Sequence, residues 1–282
     1  MVRTSSGNLS MTTGGSLSGK LFVALTHLVP PLAPMLWRWW YNTLARNDDA
    51  GELLFMNYGY ADDAPLPLAP AEEPYRYPIQ LYRHVVARLD LAGRAVLEVG
   101  SGRGGGAAWL TRSYRPAHYL GVDLSDAAVA WCRQRHWEAN LEFHAGRADA
   151  IPVGDGTIDI VINVESSHGY PDMNDFLSEV RRVLKPDGAF AFCDLRTPAA
   201  MADLQARWPA RGFTPIHHED ITARVVLALD RVAEARASRI REQVPARWRN
   251  VIEDFAGLRG STLYAMLRDG RLVYHSAVLR KL

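Results

Sequence analysis

The feature that most constrains the fold is the segment 95–106, where an apolar strand runs into a loop with five glycines. The strand Ala95-Val96-Leu97-Glu98-Val99 is followed by Gly100-Ser101-Gly102-Arg103-Gly104-Gly105-Gly106. Glycine adopts backbone angles that are closed to other residues, and it lets a ligand lie against the main chain. A helix that begins at these glycines offers unpaired N–H groups. The segment therefore predicts the first strand–loop–helix unit of an α/β fold, with a ligand at the loop.

Two acids follow at spacings that suit a nucleoside. Asp123 ends the next apolar run, 21 residues after Gly102, where a carboxylate can hold ribose hydroxyls. Asp149 follows the third run, where it can accept a hydrogen bond from an adenine amino group. Glycines at 100, 102 and 105 also fit the dinucleotide fingerprint, so a nicotinamide or flavin site stays open. Glu98, which stands just before the glycines, is not part of that fingerprint and counts against it.

Short β-rich runs alternate with helical stretches between residues 95 and 195. Strands without polar alternation, separated by helices, indicate a parallel sheet covered on both faces. Near the end, 261–268 and 272–279 flank Asp269-Gly270, a dipeptide that predicts a β-hairpin. The runs are 95–100, 119–123, 141–146, 158–165 and 189–195, and the helical stretches are 105–114, 126–137 and 173–184.

The composition of the 282 residues excludes several classes of protein. Apolar residues make up 48% and charged residues 22%, which supports a sizeable core rather than a disordered chain. The formal charge of +1 argues against a nucleic-acid binder. With only Cys132 and Cys193, neither a disulfide framework nor a multi-cysteine zinc site is expected, and a reducing cytoplasm fits. His217-His218 is predicted as a solvated turn. No metal is expected there, because adjacent histidines in a strand would point to opposite faces and rarely bind one ion together.

The chain is predicted to have three parts. Residues 1–20, rich in Ser, Thr and Gly, form a flexible tail, and residues 21–90 form a helical cap and lid over cofactor and substrate. Residues 91–282 form the catalytic domain, with a lid insertion at about 200–258. The apolar run at 21–37 is broken by Pro30, Pro31 and Pro34, and it fits neither a membrane span nor a signal peptide. We therefore expect a cytoplasmic monomer or homodimer without stable membrane insertion.

With these motifs the sequence resembles the class I S-adenosylmethionine-dependent methyltransferases over about residues 90–196. The resemblance implies a Rossmann-like, seven-stranded, mostly parallel sheet with an antiparallel last strand, and S-adenosyl-L-methionine as the cofactor. It implies that the acid and glycines at 98–104 hold the methionine half, that Asp123 binds the ribose and that Ala148-Asp149 flanks the adenine. The cofactor residues assigned in this way are Tyr60, Glu98, Gly100, Ser101, Gly102, Gly104, Asp123, Leu124, Ala148, Asp149 and Asn163.

Further segments resemble the phthiotriol/phenolphthiotriol dimycocerosate methyltransferases over roughly residues 36–200. That resemblance implies O-methylation of a hydroxyl on a long lipid or polyketide. Asn57-x-Gly59-Tyr60 is similar to a stretch that many small-molecule methyltransferases fold over the cofactor. The segments are Trp37-Arg38-Trp39-Trp40-Tyr41, Phe55-Met56-Asn57-Tyr58-Gly59-Tyr60, Leu81-Tyr82-Arg83, Gly104-Gly105-Gly106 and Asn163-Val164-Glu165-Ser166-Ser167-His168-Gly169-Tyr170-Pro171.

An aliphatic hydroxyl is a poor nucleophile, so a base would help the transfer. His168 is the predicted base because it follows the apolar run 158–165 and so lies at the carboxyl edge of the sheet, where open α/β sheets bind ligands. Glu165 is predicted to orient His168 or to cap the turn. The acceptor pocket is expected to be apolar and aromatic. Its predicted members are Trp40, Tyr58, Tyr82, Tyr170 and His217.

Other functions stay open at this point. The acceptor can be a carboxylate, a nitrogen or a carbon, and a carboxylate needs no base at neutral pH. The fold can also bind S-adenosylmethionine without transferring methyl, as a cyclase or a binding protein, and a nicotinamide oxidoreductase is a more distant alternative. The arginines between Arg231 and Arg249 are expected on a solvated helical face, with contact to an anionic lipid or carrier-linked substrate as the alternative. The expected partner is a small apolar molecule rather than nucleic acid.

Overall fold

The computed structural model describes residues 54–64, 66–244 and 246–282. Within them, one seven-stranded sheet contains β1 (Ala95–Val99), β2 (His118–Asp123), β3 (Leu141–Ala145), β4 (Ile158–Val164), β5 (Leu184–Arg196), β6 (Phe213–Asp220) and β7 (Val273–Lys281). The strand order is β3-β2-β1-β4-β5-β7-β6. Strands β1 to β5 pair in parallel, and β7 runs antiparallel to both β5 and β6. This sheet confirms the predicted Rossmann-like fold with an antiparallel last strand.

Helices connect the strands, and side-chain caps fix where several of them begin. Ser125 Oγ accepts a hydrogen bond from the N–H of Ala128, and Thr197 caps the N–H of Ala200 in the same way. Among the described helices, none combines the length and the hydropathy needed to span a bilayer. The helices are α1 (Arg76–Val86), α2 (Gly105–Tyr114), α3 (Asp126–Arg135), α4 (Met173–Val183), α5 (Pro198–Arg207), α6 (Thr222–Gln243), α7 (Ala246–Phe255) and α8 (Thr262–Arg268).

The core forms two apolar layers, one on each face of the sheet. Neighbouring residues of a strand point to opposite faces, so Val96 of β1 belongs to one layer and Leu97 to the other. Helices α1, α2, α3, α6 and α8 cover the Val96 face, and α4 and α5 cover the Leu97 face. Because both faces are covered, the central strands are buried almost throughout, which explains their apolar composition.

The predicted terminal hairpin is wrong. Residues Thr262–Arg268 form helix α8, whose first turn is capped by Ser261 Oγ, and β7 alone is a strand. Asp269-Gly270 makes the turn between this helix and β7, with φ +77° at Gly270. The dipeptide therefore marks a turn, as predicted, but Ser261 and the helix-forming residues after it favour a helix before that turn.

Strand β6, which is not predicted from the sequence, corrects the interpretation of His217-His218. The two histidines lie in the edge strand β6 rather than in a solvated turn. Their side chains have different partners, as expected for neighbours in a strand. His217 Nε2 lies 3.3 Å from Glu219 Oε2, whereas His218 Nε2 lies 2.6 Å from His275 Nδ1.

Gly106 lies at a position where the fold has no room for a side chain. A Cβ there would lie 1.9 Å from Cζ of Tyr82, a buried ring whose hydroxyl donates to Glu98 at 2.6 Å. We expect Gly106→Ala to lower the free energy of unfolding by about 1–3 kcal/mol, because the helix or the ring must shift. Gly169→Ala is the control: a Cβ there meets nothing within 4 Å, and the change should stay within about 0.5 kcal/mol. Equal denaturation midpoints for the two variants would contradict this packing.

Candidate active site

The glycine loop lies at the carboxyl ends of the parallel strands, as predicted. Gly100, Gly102 and Gly104 have φ angles of 78°, 54° and 71°, in the left-handed region that favours glycine. The N–H groups of Gly100 and Ser101 donate to Val122 O at 2.8 and 3.1 Å. Main-chain bonds to β2 therefore hold the loop, and helix α2 begins directly after Gly104.

The space in front of the loop can receive a polar ligand. A Cβ on Gly102 would meet, among the described residues, only Met56 Sδ, at 3.5 Å. Ser101 Oγ and Asn163 Oδ1 are buried, and neither has a hydrogen-bond partner in the described part of the chain. Buried polar atoms are nearly always satisfied, so these two atoms point to a bound polar group. The loop therefore fits the methionine part of S-adenosylmethionine.

Asp123 ends β2 beside the loop. Its Oδ2 accepts the N–H of Gly102 at 2.8 Å, and its Oδ1 accepts the N–H of Ser125 at 2.9 Å. Burial raises the pKa of Asp123, and these two hydrogen bonds oppose the rise. The next residue, Leu124, is 44% exposed. An acid at this place suits ribose hydroxyls and an exposed apolar side chain suits an adenine face; both assignments stay predictions.

Asp149 is engaged by a neighbour. The Nε of Arg147 donates to Asp149 Oδ1 at 2.7 Å, and this hydrogen bond holds the pKa of Asp149 below its usual range. Ala148 packs at the margin of the Leu97 layer. A contact between Asp149 and an adenine amino group would therefore compete with Arg147.

Glu98 is fully buried and holds two tyrosines. Its Oε1 accepts from the hydroxyl of Tyr82 at 2.6 Å, and its Oε2 accepts from the hydroxyl of Tyr119 at 2.8 Å. Burial raises the pKa of Glu98 to about 7, against the effect of the two hydrogen bonds. Tyr82 is only 7% exposed and packs against Gly106, so the structure places it in the core and not on an acceptor surface. This placement corrects the prediction that Tyr82 lines the substrate pocket.

Asn163 brings together the end of β1 and the segment after β4. Its Nδ2 lies 2.8 Å from Val99 O, 2.7 Å from Ser166 Oγ and 3.0 Å from the hydroxyl of Tyr170. A Cβ on Gly100 would lie 2.9 Å from the same hydroxyl. Burial raises the pKa of Tyr170, so its hydroxyl stays protonated and can donate. Tyr170 and Asn163, predicted for acceptor and cofactor respectively, therefore form one cluster at the loop.

His168 is paired with Asp194, an acid that is not among the residues predicted for catalysis. His168 Nδ1 lies 2.8 Å from Asp194 Oδ1, and the backbone N–H of His168 donates to Asp194 Oδ2 at 2.8 Å. Asp194 is fully buried, but the charge of His168 and these hydrogen bonds outweigh burial and hold its pKa well below its usual range. The side chain of His168 is 43% exposed, so a small molecule can reach the ring.

The same pairing sets the charge of the imidazole. Partial removal of the ring from water would by itself lower the pKa of His168, but the charge of Asp194 and its hydrogen bond outweigh this effect and raise the pKa above 6.5. Two further groups fix Asp194: Ser167 Oγ donates to Oδ2 at 2.5 Å, and Arg196 Nη1 lies 3.3 Å from the same oxygen. Asp194 is therefore an ionised acceptor that positions His168.

Glu165 does not orient His168 in this structure. Its Oε1 accepts from the N–H of Tyr58 at 2.7 Å and from the hydroxyl of Tyr274. Burial raises the pKa of Glu165 to about 8, against these two hydrogen bonds. Its φ of 47° is unusual for a residue with a side chain and marks the sharp turn after β4. The orienting role predicted for Glu165 is therefore taken by Asp194, and Glu165 fixes Tyr58 instead.

The remaining predicted residues are dispersed. Tyr58 is tied to Glu165, and Tyr60 stacks on His84 with ring centroids 4.3 Å apart. His217 lies in the edge strand β6 beside Glu219, and the structure does not bring it to His168. Trp40 lies outside the described residues.

Comparisons with known proteins identify the family. The methyltransferase domain family matches residues 97–192. A phthiotriol/phenolphthiotriol dimycocerosates methyltransferase of Mycobacterium tuberculosis is 37% identical over 241 residues, which are 85% of this chain and 89% of that protein. A fatty-acid O-methyltransferase of Mycolicibacterium smegmatis is 38% identical over 236 residues, which are 83% of this chain and 85% of that protein.

The chain belongs to the S-adenosylmethionine-dependent methyltransferases, in the phthiotriol/phenolphthiotriol dimycocerosates group. S-adenosyl-L-methionine is therefore the cofactor of this methyltransferase, and its methionine part fits the loop described above. When bound, it supplies an activated methyl group on a positively charged sulfur.

Solved structures support the fold of the methyltransferase. The 4+2 cyclase SpnF has a TM-score of 0.65 at 21% identity, and the match covers 86% of this chain and 92% of that one. A geranyl diphosphate C-methyltransferase from Streptomyces coelicolor has a TM-score of 0.61 at 17% identity, and the match covers 86% and 98% of the two chains. These likenesses concern the fold alone.

Proposed function

We propose that this methyltransferase transfers a methyl group to a hydroxyl of an apolar, lipid-like acceptor, with His168 as general base. The observation that carries the proposal is the pairing of His168 with Asp194 at the carboxyl edge of the sheet, next to the loop that fits the cofactor. Both relatives described above carry a lipid in their names, which supports a lipid-like acceptor.

The geometry supports one direction of proton transfer. Asp194 is ionised, so it can only accept, and the proton on His168 Nδ1 points to it. Nε2 is then the unprotonated nitrogen and can accept the proton of the acceptor hydroxyl. As the C–O bond forms and the proton reaches Nε2, the imidazole becomes a cation that Asp194 stabilises, as in other carboxylate–histidine pairs.

The protein contributes alignment as well as a base. Methyl transfer is an in-line displacement, so the acceptor oxygen must lie behind the methyl group. Holding two reactants in this way can contribute roughly 7–11 kcal/mol in model reactions. Asn163, Ser166 and Tyr170 are linked to one another next to Gly100, and we propose that this cluster positions the cofactor against the acceptor.

The raised pKa of His168 predicts a loss of activity at low pH. A base must be neutral, so kcat/KM should fall about tenfold per pH unit below a pKa that lies above 6.5. Asp194→Asn removes the charge that raises this pKa, so the inflection should move to lower pH while the plateau falls. The pH–rate profiles of the unmodified enzyme and of Asp194→Asn measure both changes. An inflection at the same pH in both would show that it does not come from a His168–Asp194 pair.

Methylation of a carboxylate is the second candidate. The fatty-acid O-methyltransferase among the relatives favours it, and a carboxylate is already ionised at neutral pH and needs no base. The formation of S-adenosylhomocysteine from 1-decanol and from decanoate, measured side by side with the purified enzyme, separates the two. Turnover of the alcohol supports the proposed function, and turnover of the acid alone would replace it with the second candidate.

A further inference from the structure

Arg236 lies on the face of α6 that packs against the protein. The buried residues of this helix recur at helical spacing, at Val225, Leu229, Ala233 and Ile240, and position 236 falls on the same stripe. Arg236 is partly buried, whereas Arg231 and Arg239 of the same helix are exposed. The expectation of a solvated basic face is therefore correct for those two arginines and wrong for Arg236.

The contacts of Arg236 link it to Glu165, next to the proposed base. Its Nη1 donates to Ala256 O at 2.6 Å, just after α7. The hydroxyl of Tyr58 donates to the preceding carbonyl, Phe255 O, at 3.2 Å, and the N–H of Tyr58 donates to Glu165 Oε1 at 2.7 Å. Arg236 and Tyr58 thus bind consecutive carbonyls, and Tyr58 connects this pair of carbonyls to Glu165.

Arg236 forms no hydrogen bond or ion pair with a carboxylate of the described residues. Its hydrogen-bond partner there is Ala256 O, which leaves most of its five N–H donors available. Burial lowers the pKa of Arg236, whereas carboxylate partners raise the pKa of Arg182 and Arg224. A negative charge on Glu165 would act on Arg236, but burial raises the pKa of Glu165 to about 8, so that charge is only partly present at pH 7.

We propose that Arg236 binds a carboxylate group of the acceptor. The inference rests on the proposed function, because it names the chemistry of the acceptor bound at the same site. A charge that is partly removed from water is costly without a partner, and a guanidinium offers a planar pair of donors that matches a carboxylate. The acceptor is then an acidic lipid whose carboxylate lies on Arg236.

A structural role would have different consequences. Arg236 also ties α6 to the carbonyl after α7, and a cation near a helix C-terminus is stabilising in itself. If this were its only role, removing the charge would lower the stability of the protein or weaken the binding of all ligands equally. The preference for acids over alcohols would not change.

The experiment compares the binding of decanoate and 1-decanol at pH 7 to the enzyme saturated with S-adenosylhomocysteine. Calorimetry is run on the unmodified enzyme, Arg236→Gln, Arg236→Lys and the matched control Arg239→Gln, an exposed arginine one turn away. Thermal unfolding of each protein reports stability. Because binding is measured without turnover, the result does not depend on which oxygen is methylated.

We expect decanoate to bind the unmodified enzyme about tenfold or more tightly than 1-decanol. Arg236→Gln should abolish this preference and leave the affinities for 1-decanol and S-adenosylhomocysteine unchanged, Arg236→Lys should retain part of it, and Arg239→Gln should retain all of it. No preference in the unmodified enzyme, or a full preference in Arg236→Gln, overturns the proposal. A loss of S-adenosylhomocysteine binding in Arg236→Gln also overturns it, because Arg236 would then serve the cofactor. Failure of the proposed function would appear separately, as absent methyl transfer to 1-decanol in the turnover assay.

Discussion

Replacing His168 with alanine is expected to lower kcat for a hydroxyl acceptor by about 10²- to 10⁴-fold, which is the usual contribution of a general base. The affinity for S-adenosylhomocysteine should change little, because the loop and Asp123, rather than His168, are assigned to the cofactor. His118→Ala is the matched control, since His118 begins β2 at the opposite, amino edge of the sheet. Steady-state kinetics and calorimetry on both variants measure the two effects.

A rate for His168→Ala that equals that of the unmodified enzyme would remove the base from the mechanism. It would then favour an acceptor that is already ionised, such as a carboxylate. Loss of cofactor binding in the same variant would instead mean that the imidazole helps to form the cofactor site.

Replacing Gly102 with valine is expected to weaken S-adenosylhomocysteine binding by at least about 100-fold. The protein leaves the Cβ position of Gly102 open except for Met56 Sδ at 3.5 Å, so the valine side chain would fill space meant for the ligand. A valine held at the positive φ of Gly102 would also strain the folded state by about 1–2 kcal/mol.

The control for this strain is Gly93→Val. Gly93 also has a positive φ, 66°, and a Cβ there meets nothing within 4 Å, but the residue lies before β1, at the other end of the strand. Both variants should lose similar stability in thermal unfolding, and only Gly102→Val should lose the ligand in calorimetry. Equal affinities in the two variants would show that the ligand does not lie against Gly102.

Local sequence patterns predict the sheet and the loop well. Apolar runs separated by helical stretches place β1 to β5, and the glycines of 100–106 place the loop, because these patterns are local and each follows from backbone geometry. The predicted hairpin is wrong because it, too, rests on a local pattern. Asp269-Gly270 indicates only a turn, and β7 pairs with β5 and β6, which both lie more than fifty residues earlier in the chain.

Side-chain pairings are harder to predict because they depend on which strands become neighbours. Asp194 is missed as the partner of His168, although Cys193 of β5 pairs with Val164 of β4, so both acid and histidine follow paired positions at one edge. Glu165, which is nearer in sequence, is predicted to orient His168 instead. The sequence predicts Arg236 on the same solvated face as Arg231 and Arg239, although its spacing from Leu229, Ala233 and Ile240 indicates the inward face of the helix.

The most direct test of the central claim is rescue of His168→Ala by imidazole in single-turnover methyl transfer to 1-decanol. We predict that the slow rate rises with imidazole concentration, and more steeply at pH 8 than at pH 6, because only the neutral form can accept the proton. The contradicting result is a variant that transfers methyl as fast as the unmodified enzyme without imidazole, since the His168–Asp194 pair would then contribute nothing to the reaction.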